Sequence, residues 1–234
     1  MSTCKNNKNS AFTLLFREPG KALGLYNALT GSEIPASAPI EDVTLEDALY
    51  KDLENSLAFI VDGRLVILIE NQSTVHANLP MLLLVYISYV YEKHLGKEAI
   101  YRTKLIKIPR PEVYVLYSGR ADYPESKILR FSDSFDAFDE PDECDGKRPG
   151  GFVEMSVNVL NVNPGFNDSI MRKCSDLDGY SKLVGKVRDF QDSGQRVDAA
   201  IASAIDYCLA HGILEEFLGK HSSEITECFS KSSI

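Results

Sequence analysis

The chain lacks the long apolar run that a transmembrane helix requires. Its longest apolar stretch, Leu79 to Val90, falls short of the roughly 18 residues of a bilayer span and contains Tyr86 and Ser88. That stretch predicts a buried helix instead. The first residues include lysines but no apolar segment behind them, so they do not predict a secretory signal. We therefore expect a cytoplasmic protein that does not enter a membrane.

Cysteine pairs at metal-binding spacing are also missing. Five cysteines lie at positions 4, 144, 174, 208 and 228, an odd number, and no two of them are separated by two residues. This pattern argues against a structural zinc site and against a disulfide framework. Reduced thiols agree with a cytosolic location. The sequence also shows no glycine-rich phosphate loop and no Ser-His-Asp arrangement.

Positive charge is scarce, since 25 Lys and Arg stand against 34 Asp and Glu, a net charge of −9. Proteins that bind DNA regardless of its sequence usually have a basic surface, so this balance counts against avid nucleic-acid binding. The charge is uneven: nine basic and four acidic residues lie from Lys93 to Arg130, and seven acids with no base from Phe131 to Asp145. A local basic face and a scatter of solvated charges are both compatible with this pattern.

The spacing of apolar residues predicts a mixed α/β protein. Helical periodicity extends from Ala11 to Thr30, with a break at Pro19-Gly20. Two apolar, β-branched runs, Leu57 to Val61 and Leu65 to Ile69, flank Asp62-Gly63-Arg64, and Asp-Gly between such runs predicts a β-hairpin. Because the second run is apolar on both faces, we expect it to lie centrally in a sheet.

The remaining elements are predicted from the same patterns. A capping box at Thr44 predicts a short helix or turn towards Leu53. A helix is predicted from Pro80 to Leu95, lying over the sheet with its N-terminus near Glu70, where its first N–H groups can hold a phosphate. The further predictions are strands at Tyr101–Ile108, Glu112–Tyr117 and Phe152–Val162, a long acidic loop before Gly151, and helices from Asn167 onward with a break near His211-Gly212.

Polar residues follow the second apolar run abruptly, from Glu70 to Thr74. In α/β sheets, ligands bind beyond the ends of central strands. Glu70 and Gln72 are two residues apart, so their side chains leave the same face of the strand. A carboxylate there is a suitable ligand for Mg²⁺, which takes one or two carboxylates together with waters and substrate phosphates. A solvated strand end is the alternative, and spacing alone favours that alternative.

Several short motifs in a fixed order give the chain a family resemblance. They are Leu25 to Leu29, Asn55 to Phe59, Leu68 to Thr74, Asn78-Leu79-Pro80, Ile108 to Gly119, Leu160 to Asn163 and Cys208 to Leu218. Over roughly residues 11 to 228 the chain resembles the Rpn family of recombination-promoting nucleases and putative transposases. The resemblance implies a PD-(D/E)XK nuclease-like α/β fold, a mixed central sheet flanked by helices, with a core at residues 11–165 and a C-terminal helical region at 166–230.

The resemblance also implies a Mg²⁺-dependent DNA endonuclease linked to recombination or transposition. The family's Asp, Glu and Gln correspond to Ser56, Glu70 and Gln72, of which the first two bind metal in the family and the third orients water. Ser56 in place of Asp removes one carboxylate from the metal site. The alternatives are therefore an inactive nuclease-fold protein that binds DNA or a protein partner, and a homo-oligomer formed through the C-terminal helices.

The length of the hairpin loop decides whether Glu54 can replace the missing carboxylate as a metal ligand. A three-residue loop places Ser56 opposite Glu70 and Glu54 opposite Gln72, on one face. A two-residue loop places Asn55 opposite Glu70 and turns Glu54 away. The sequence leaves both registers open. Unless Glu54 has taken over the role, we expect weak or absent cleavage and a gain from Ser56→Asp.

Overall fold

One mixed sheet organises the part of the chain that the computed structural model describes, residues 10–45, 53, 56–71, 75–135 and 153–231. Within these ranges the strands are β1 (Ile40–Asp42), β2 (Ser56–Val61), β3 (Arg64–Asn71), β4 (Arg110–Tyr117), β5 (Ser126–Arg130) and β6 (Ser156–Asn161). The helices are α1 (Ala11–Phe16), α2 (Pro19–Thr30), α3 (Leu79–Leu95), α4 (Asp168–Met171), α5 (Ser175–Asp192), α6 (Val197–Ala210) and α7 (Glu215–Lys231). The strands are ordered β1-β2-β3-β4-β6-β5. The predicted mixed α/β class is confirmed.

The predicted hairpin is present as β2 and β3, closed by a two-residue turn. Asp62 and Gly63 have φ angles of 48° and 70°, the left-handed backbone that a tight hairpin turn needs at both central positions. Val61 pairs with Arg64, and Ser56 consequently pairs with Ile69. Of the two registers open from the sequence, the structure has the one with the two-residue loop.

Side-chain alternation along β2 and β3 separates two apolar layers. On one face Ile67 and Ile69 belong to a buried cluster with Leu83 and Ile87 of α3. Leu65 belongs to the same cluster, whereas Val66 and Leu68 on the other face pack with α1, α2 and the C-terminal helices. All five residues from 65 to 69 are at most 1 % exposed, which confirms that β3 is a central strand. The prediction that the helix after β3 lies over the sheet is confirmed as well.

The connection through α3 makes the middle of the sheet parallel. β4 runs parallel to β3, with Glu70 paired to Leu116, and β6 runs parallel to β4, with Tyr117 paired to Asn161. The carboxyl ends of these three strands therefore meet at one edge. β1 and β2 continue the sheet antiparallel on one side, and β5 pairs antiparallel with β6 on the other.

The C-terminal helices share their apolar core with the sheet. Leu183 of α5, Ile201 of α6 and Phe229 of α7 belong to the same buried cluster as Leu57 and Phe59 of β2. The predicted helical breaks are confirmed: α1 ends before Pro19, and α6 ends before Gly212, whose φ is 65°. None of the helices in the described ranges combines the length and apolar character that crossing a bilayer requires.

Two predictions of local structure are wrong, and one lies outside the described residues. The strand predicted at Tyr101–Ile108 is instead the end of a 3-10 turn, Ala99–Tyr101, followed by irregular backbone. Strand β5 was not predicted, because it is an edge strand whose residues are exposed except for the partly buried Leu129, so it has little apolar signal. The short helix or turn predicted between Thr44 and Leu53 falls mostly outside the described residues.

Candidate functional site

Glu70 is a buried acid at the carboxyl end of β3. It is only 3 % exposed, on the face of the sheet that α5 covers. The Tyr180 hydroxyl of α5 donates a hydrogen bond to Glu70 Oε1, and Ser118 Oγ donates to the same oxygen at 3.3 Å. Tyr180 is fully buried and Ser118 is 2 % exposed. The carboxylate is therefore held by two hydroxyl donors away from solvent.

Arg188 extends this polar group across the ends of β4 and β6. Its guanidinium donates to the backbone carbonyl of Ser118 and, at 2.7 Å, to Asn163 Oδ1. Burial lowers the pKa of Arg188, and the nearby Arg120 guanidinium lowers it further, whereas Glu70 acts to raise it. We refer to Glu70, Ser118, Asn163, Tyr180 and Arg188 as the Glu70 cluster.

The strand ends bring the members of the Glu70 cluster together. Ser118 directly follows β4, and Asn163 follows β6 by two residues, so both lie at the edge where β3 ends. Asn163 Nδ2 also donates to the backbone carbonyl of Gly119 at 3.0 Å. A Cβ atom at Gly119 would lie 2.5 Å from the Tyr117 hydroxyl oxygen, so this tight approach needs glycine. Polar groups from three successive parallel strands thus converge beneath α5.

Ser56 lies on the opposite face of the sheet from Glu70. Its Oγ donates to the Leu53 carbonyl at 2.7 Å and shares a 3.2 Å hydrogen bond with the Tyr86 hydroxyl of α3. Ser56 pairs with Ile69, whose side chain belongs to the α3 face, whereas the next residue, Glu70, faces α5. The structure therefore does not bring Ser56 and Glu70 together.

Of the predicted site residues, only Ser56 and Glu70 are among the described residues. Gln72 and Glu54 lie outside the described residues. The register found is the one that gives no support to Glu54 as a replacement ligand. α3 packs on the face of Ser56, whereas the Glu70 carboxylate faces α5, and the predicted phosphate contact of the first turn of α3 stays a prediction.

The described residues around Glu70 do not fit a Mg²⁺ site. Mg²⁺ demands octahedral oxygen coordination at about 2.0–2.1 Å and usually keeps several waters. Glu70 Oε1 already accepts two hydrogen bonds, and the neighbouring Arg188 guanidinium repels a cation. Over the described ranges, no three His, Cys, Asp or Glu side chains are grouped so as to hold a metal. We derive no catalytic step through a metal from this arrangement.

Sequence reasoning missed four of the five members of the Glu70 cluster. Ser118 and Asn163 belong to motifs that carried the family resemblance, but nothing in the pattern linked them to Glu70. Tyr180 and Arg188 are eight residues apart, a spacing that keeps both within one side of a helix. This spacing was the one sequence signal that could have linked Tyr180 to Arg188. It does not show which strand their helix covers, so it could not link them to Glu70.

Burial limits what the Glu70 cluster can do chemically. A general base or nucleophile must come within about 3 Å of a substrate atom, directly or through one water. The groups within that distance of the Glu70 carboxylate include the hydroxyls of Tyr180 and Ser118. Because Glu70 is only 3 % exposed, a substrate cannot reach its carboxylate. In this conformation the cluster holds α5 against the ends of the parallel strands.

Compared with known proteins, the chain matches no family model, no curated protein and no solved structure.

Proposed function

We propose that this chain is a nuclease-like protein that acts by binding a partner and does not cleave phosphodiester bonds. One observation carries the proposal: Glu70, which stands at the position of the motif glutamate, is 3 % exposed and hydrogen-bonded to Tyr180. Metal-assisted hydrolysis requires a carboxylate that reaches both a metal and its bound phosphate. A buried carboxylate whose Oε1 accepts two protein hydrogen bonds and which a helix covers does not meet that requirement.

The order of the central elements supports the nuclease-like part of the proposal. The hairpin of β2 and β3 is followed by α3 and then by β4, parallel to β3. Helices cover both faces of this mixed sheet. A mixed central sheet flanked by helices is the arrangement that the resemblance to PD-(D/E)XK nucleases implies.

A Mg²⁺-dependent DNA endonuclease linked to recombination or transposition is the second candidate function. The position of Glu70 favours it, because the carboxyl end of a central parallel strand is where α/β sheets bind ligands. Arg188 beside it carries the planar guanidinium that recognises phosphate well. This function requires α5 to move so that Tyr180 uncovers Glu70.

Plasmid nicking in Mg²⁺ or Mn²⁺ separates the two candidates. The assay compares wild type, Ser56→Asp and Glu70→Gln at low salt, where phosphate binding is strongest. We expect no cleavage from wild type. We also expect no gain from Ser56→Asp, because the new carboxylate would face Tyr86 instead of Glu70. Ser88→Asp, on the exposed side of α3, is the matched control for adding an acid.

Two results would decide against the binding role. Wild-type cleavage that disappears in Glu70→Gln would show that Glu70 becomes accessible and would establish the endonuclease instead. A gain in Ser56→Asp that is absent from Ser88→Asp would show that position 56 reaches the metal, against the placement of Ser56 beside Tyr86.

A further inference from the structure

A basic and apolar surface segment, residues 101–110, lies at the opposite end of the sheet from the Glu70 cluster. Arg110 pairs with Arg64 at the start of β3, whereas Glu70 pairs with Leu116, six residues farther along β4. At about 3.3 Å per strand residue, this separation is roughly 20 Å. The segment is therefore a surface distinct from the candidate site.

The 101–110 segment exposes unusually large apolar side chains. Tyr101 and Leu105 are each 83 % exposed, the highest values among the large apolar residues described, and Ile108 is 52 % exposed. Isolated exposed apolar residues are normal on protein surfaces, whereas a group of them marks an interaction site. Three within eight residues indicate a surface that a partner covers.

Positive charge alternates with these apolar side chains. Arg102, Lys104 and Lys107 are exposed, and none forms an ion pair with a described residue. Arg110, in contrast, pairs with Glu112. Three uncompensated cations on a chain of net charge −9 form a local site for an anionic partner.

The backbone of the segment is anchored at its ends and open between them. The Arg110 amide donates to the Gly63 carbonyl at 3.0 Å, and the Tyr91 hydroxyl donates to the Pro109 carbonyl at 2.5 Å. At the other end the Arg102 amide donates to Ala99 O at 3.2 Å. Residues 103–108 make no hydrogen bond to a described residue, so their amides and carbonyls are available to a partner's main chain.

We propose that the 101–110 segment binds an extended acidic segment of a partner protein, one with apolar side chains between its carboxylates. Its carboxylates pair with Arg102, Lys104 and Lys107, its apolar side chains cover Leu105 and Ile108, and its main chain pairs with the open backbone. Recognition of an extended peptide by main-chain pairing and alternate side-chain contacts is a known mode. The proposal rests on the binding role proposed above and names the partner of that role.

A protein segment fits this surface better than DNA or an anionic membrane. DNA and membranes are extended polyanions, so they are repelled by the whole chain with its net charge of −9. A short acidic peptide responds mainly to cations within the Debye length, about 10 Å in 0.1 M salt.

Fluorescence anisotropy of the full chain with a labelled peptide of alternating glutamate and valine tests the proposal. We expect binding that weakens as salt rises from about 50 to about 300 mM, and no binding of the same peptide with glutamine in place of glutamate. Lys104→Glu/Lys107→Glu should weaken binding about tenfold or more. Lys127→Glu/Lys173→Glu, an equal charge change at exposed positions elsewhere, should leave it unchanged. Leu105→Ser should weaken binding while keeping every charge.

Other outcomes overturn the proposal. Equal weakening in the two double variants, or no binding of the acidic peptide, would show that the segment is no specific site. Binding of a DNA duplex or of phosphatidylserine vesicles in place of the peptide, lost in Lys104→Glu/Lys107→Glu, would assign another partner. Self-association lost in that variant would assign a second copy. Plasmid cleavage that depends on Glu70 would overturn the binding role by itself. That assay reports on the Glu70 cluster, which lies roughly 20 Å from the 101–110 segment.

Discussion

Tyr180 determines the environment of Glu70. Its ring is fully buried and meets Phe12 of α1 edge-on, with ring centroids 5.8 Å apart, while its hydroxyl donates to the carboxylate. One side chain thus joins α1, α5 and the end of β3. A buried acid is costly unless hydrogen bonds satisfy it, so the tyrosine and Glu70 stabilise each other's position.

Tyr180→Phe should destabilise the protein by about 1–3 kcal/mol, because it removes a donor from a buried carboxylate while preserving the ring. Urea unfolding followed by circular dichroism measures the change. Tyr101→Phe, at an 83 % exposed ring, is the matched control and should stay within about 0.5 kcal/mol of wild type. Equal stability of the two variants would mean that the Tyr180 hydroxyl does not support Glu70.

Glu112 is a second organising acid, at the start of β4. It accepts hydrogen bonds from the Tyr26 hydroxyl of α2 at 2.8 Å, from Arg110, and from the Tyr114 hydroxyl at 3.3 Å. Burial acts to raise the pKa of Glu112, but the hydrogen bonds from Arg110 and Tyr26 outweigh it, so the pKa lies below its usual value. The ionised carboxylate therefore ties α2 to the sheet.

Glu112→Gln should lower the free energy of unfolding at pH 7, and this loss should shrink in acid. Because the pKa of Glu112 is lower in the folded state, its contribution is full above the unfolded-state pKa, near 4.5, and disappears as pH falls through the folded value. Urea unfolding at a series of pH values from about 7 to about 3 tests this window. Exposed Glu33→Gln is the control. A penalty that stays constant down to the lowest pH would contradict the role of the charge.

At the scale of elements, α5 packs closely against the connection between α6 and α7. A Cβ atom at Gly179 would lie 2.8 Å from Leu214 Cγ in that connection. Leu214 has a left-handed backbone, with φ 50°, and so has little freedom to move aside. Gly24 of α2, by contrast, has no atom within 4 Å of the same position.

Alanine should therefore have opposite effects at these two helix glycines. Gly24→Ala should raise the free energy of unfolding by about 0.5–1 kcal/mol, since alanine has the higher helix propensity. Gly179→Ala should lower it by about 1–3 kcal/mol, because overpacking exceeds the propensity gain. Thermal and urea unfolding measure both variants. Stabilisation by Gly179→Ala would show that the α6–α7 connection yields without cost.

At the scale of the whole molecule, the buried cluster beneath the sheet contains residues from both ends of the chain. Phe12 and Phe16 of α1 lie in it together with Phe217 and Phe229 of α7. The C-terminal helices are thus the cover for one face of β2 and β3. Without them, apolar residues of a central hairpin would face water.

A chain that ends at Gly165 should accordingly fail to unfold cooperatively and should bind a hydrophobic dye, because it exposes the sheet face that α5 to α7 cover. Differential scanning calorimetry and dye fluorescence measure these properties. A chain that ends at Lys231, which keeps all seven helices of the described residues, is the control and should unfold like wild type. Cooperative unfolding of the shorter chain would show that residues 11–165 form an independent core.

The hairpin shows how much of the fold the sequence determines by itself. Its turn needs two left-handed residues, and Asp62-Gly63 supplies them, so the hairpin and its two strands could be predicted locally, while the length of the loop stayed open. The helical breaks at Pro19 and Gly212 follow from the same backbone chemistry. The run Tyr101–Ile108 has strand-like residues as well, but it pairs with no strand of the described sheet. Local residue preference is therefore not enough to form a strand without a neighbouring strand to pair with.

In the candidate site, too, the sequence determined one part and the tertiary structure decided the rest. The polar end of a buried strand indicated Glu70 from the sequence, because an acid directly after an apolar run is locally conspicuous. Tertiary structure decided that Ser56 faces α3 and that Glu70 faces Tyr180, about 110 residues away along the chain. A one-residue difference in hairpin register moves every side chain to the other face of the sheet. Which helix then covers each face depends on long-range packing, which local sequence patterns do not encode.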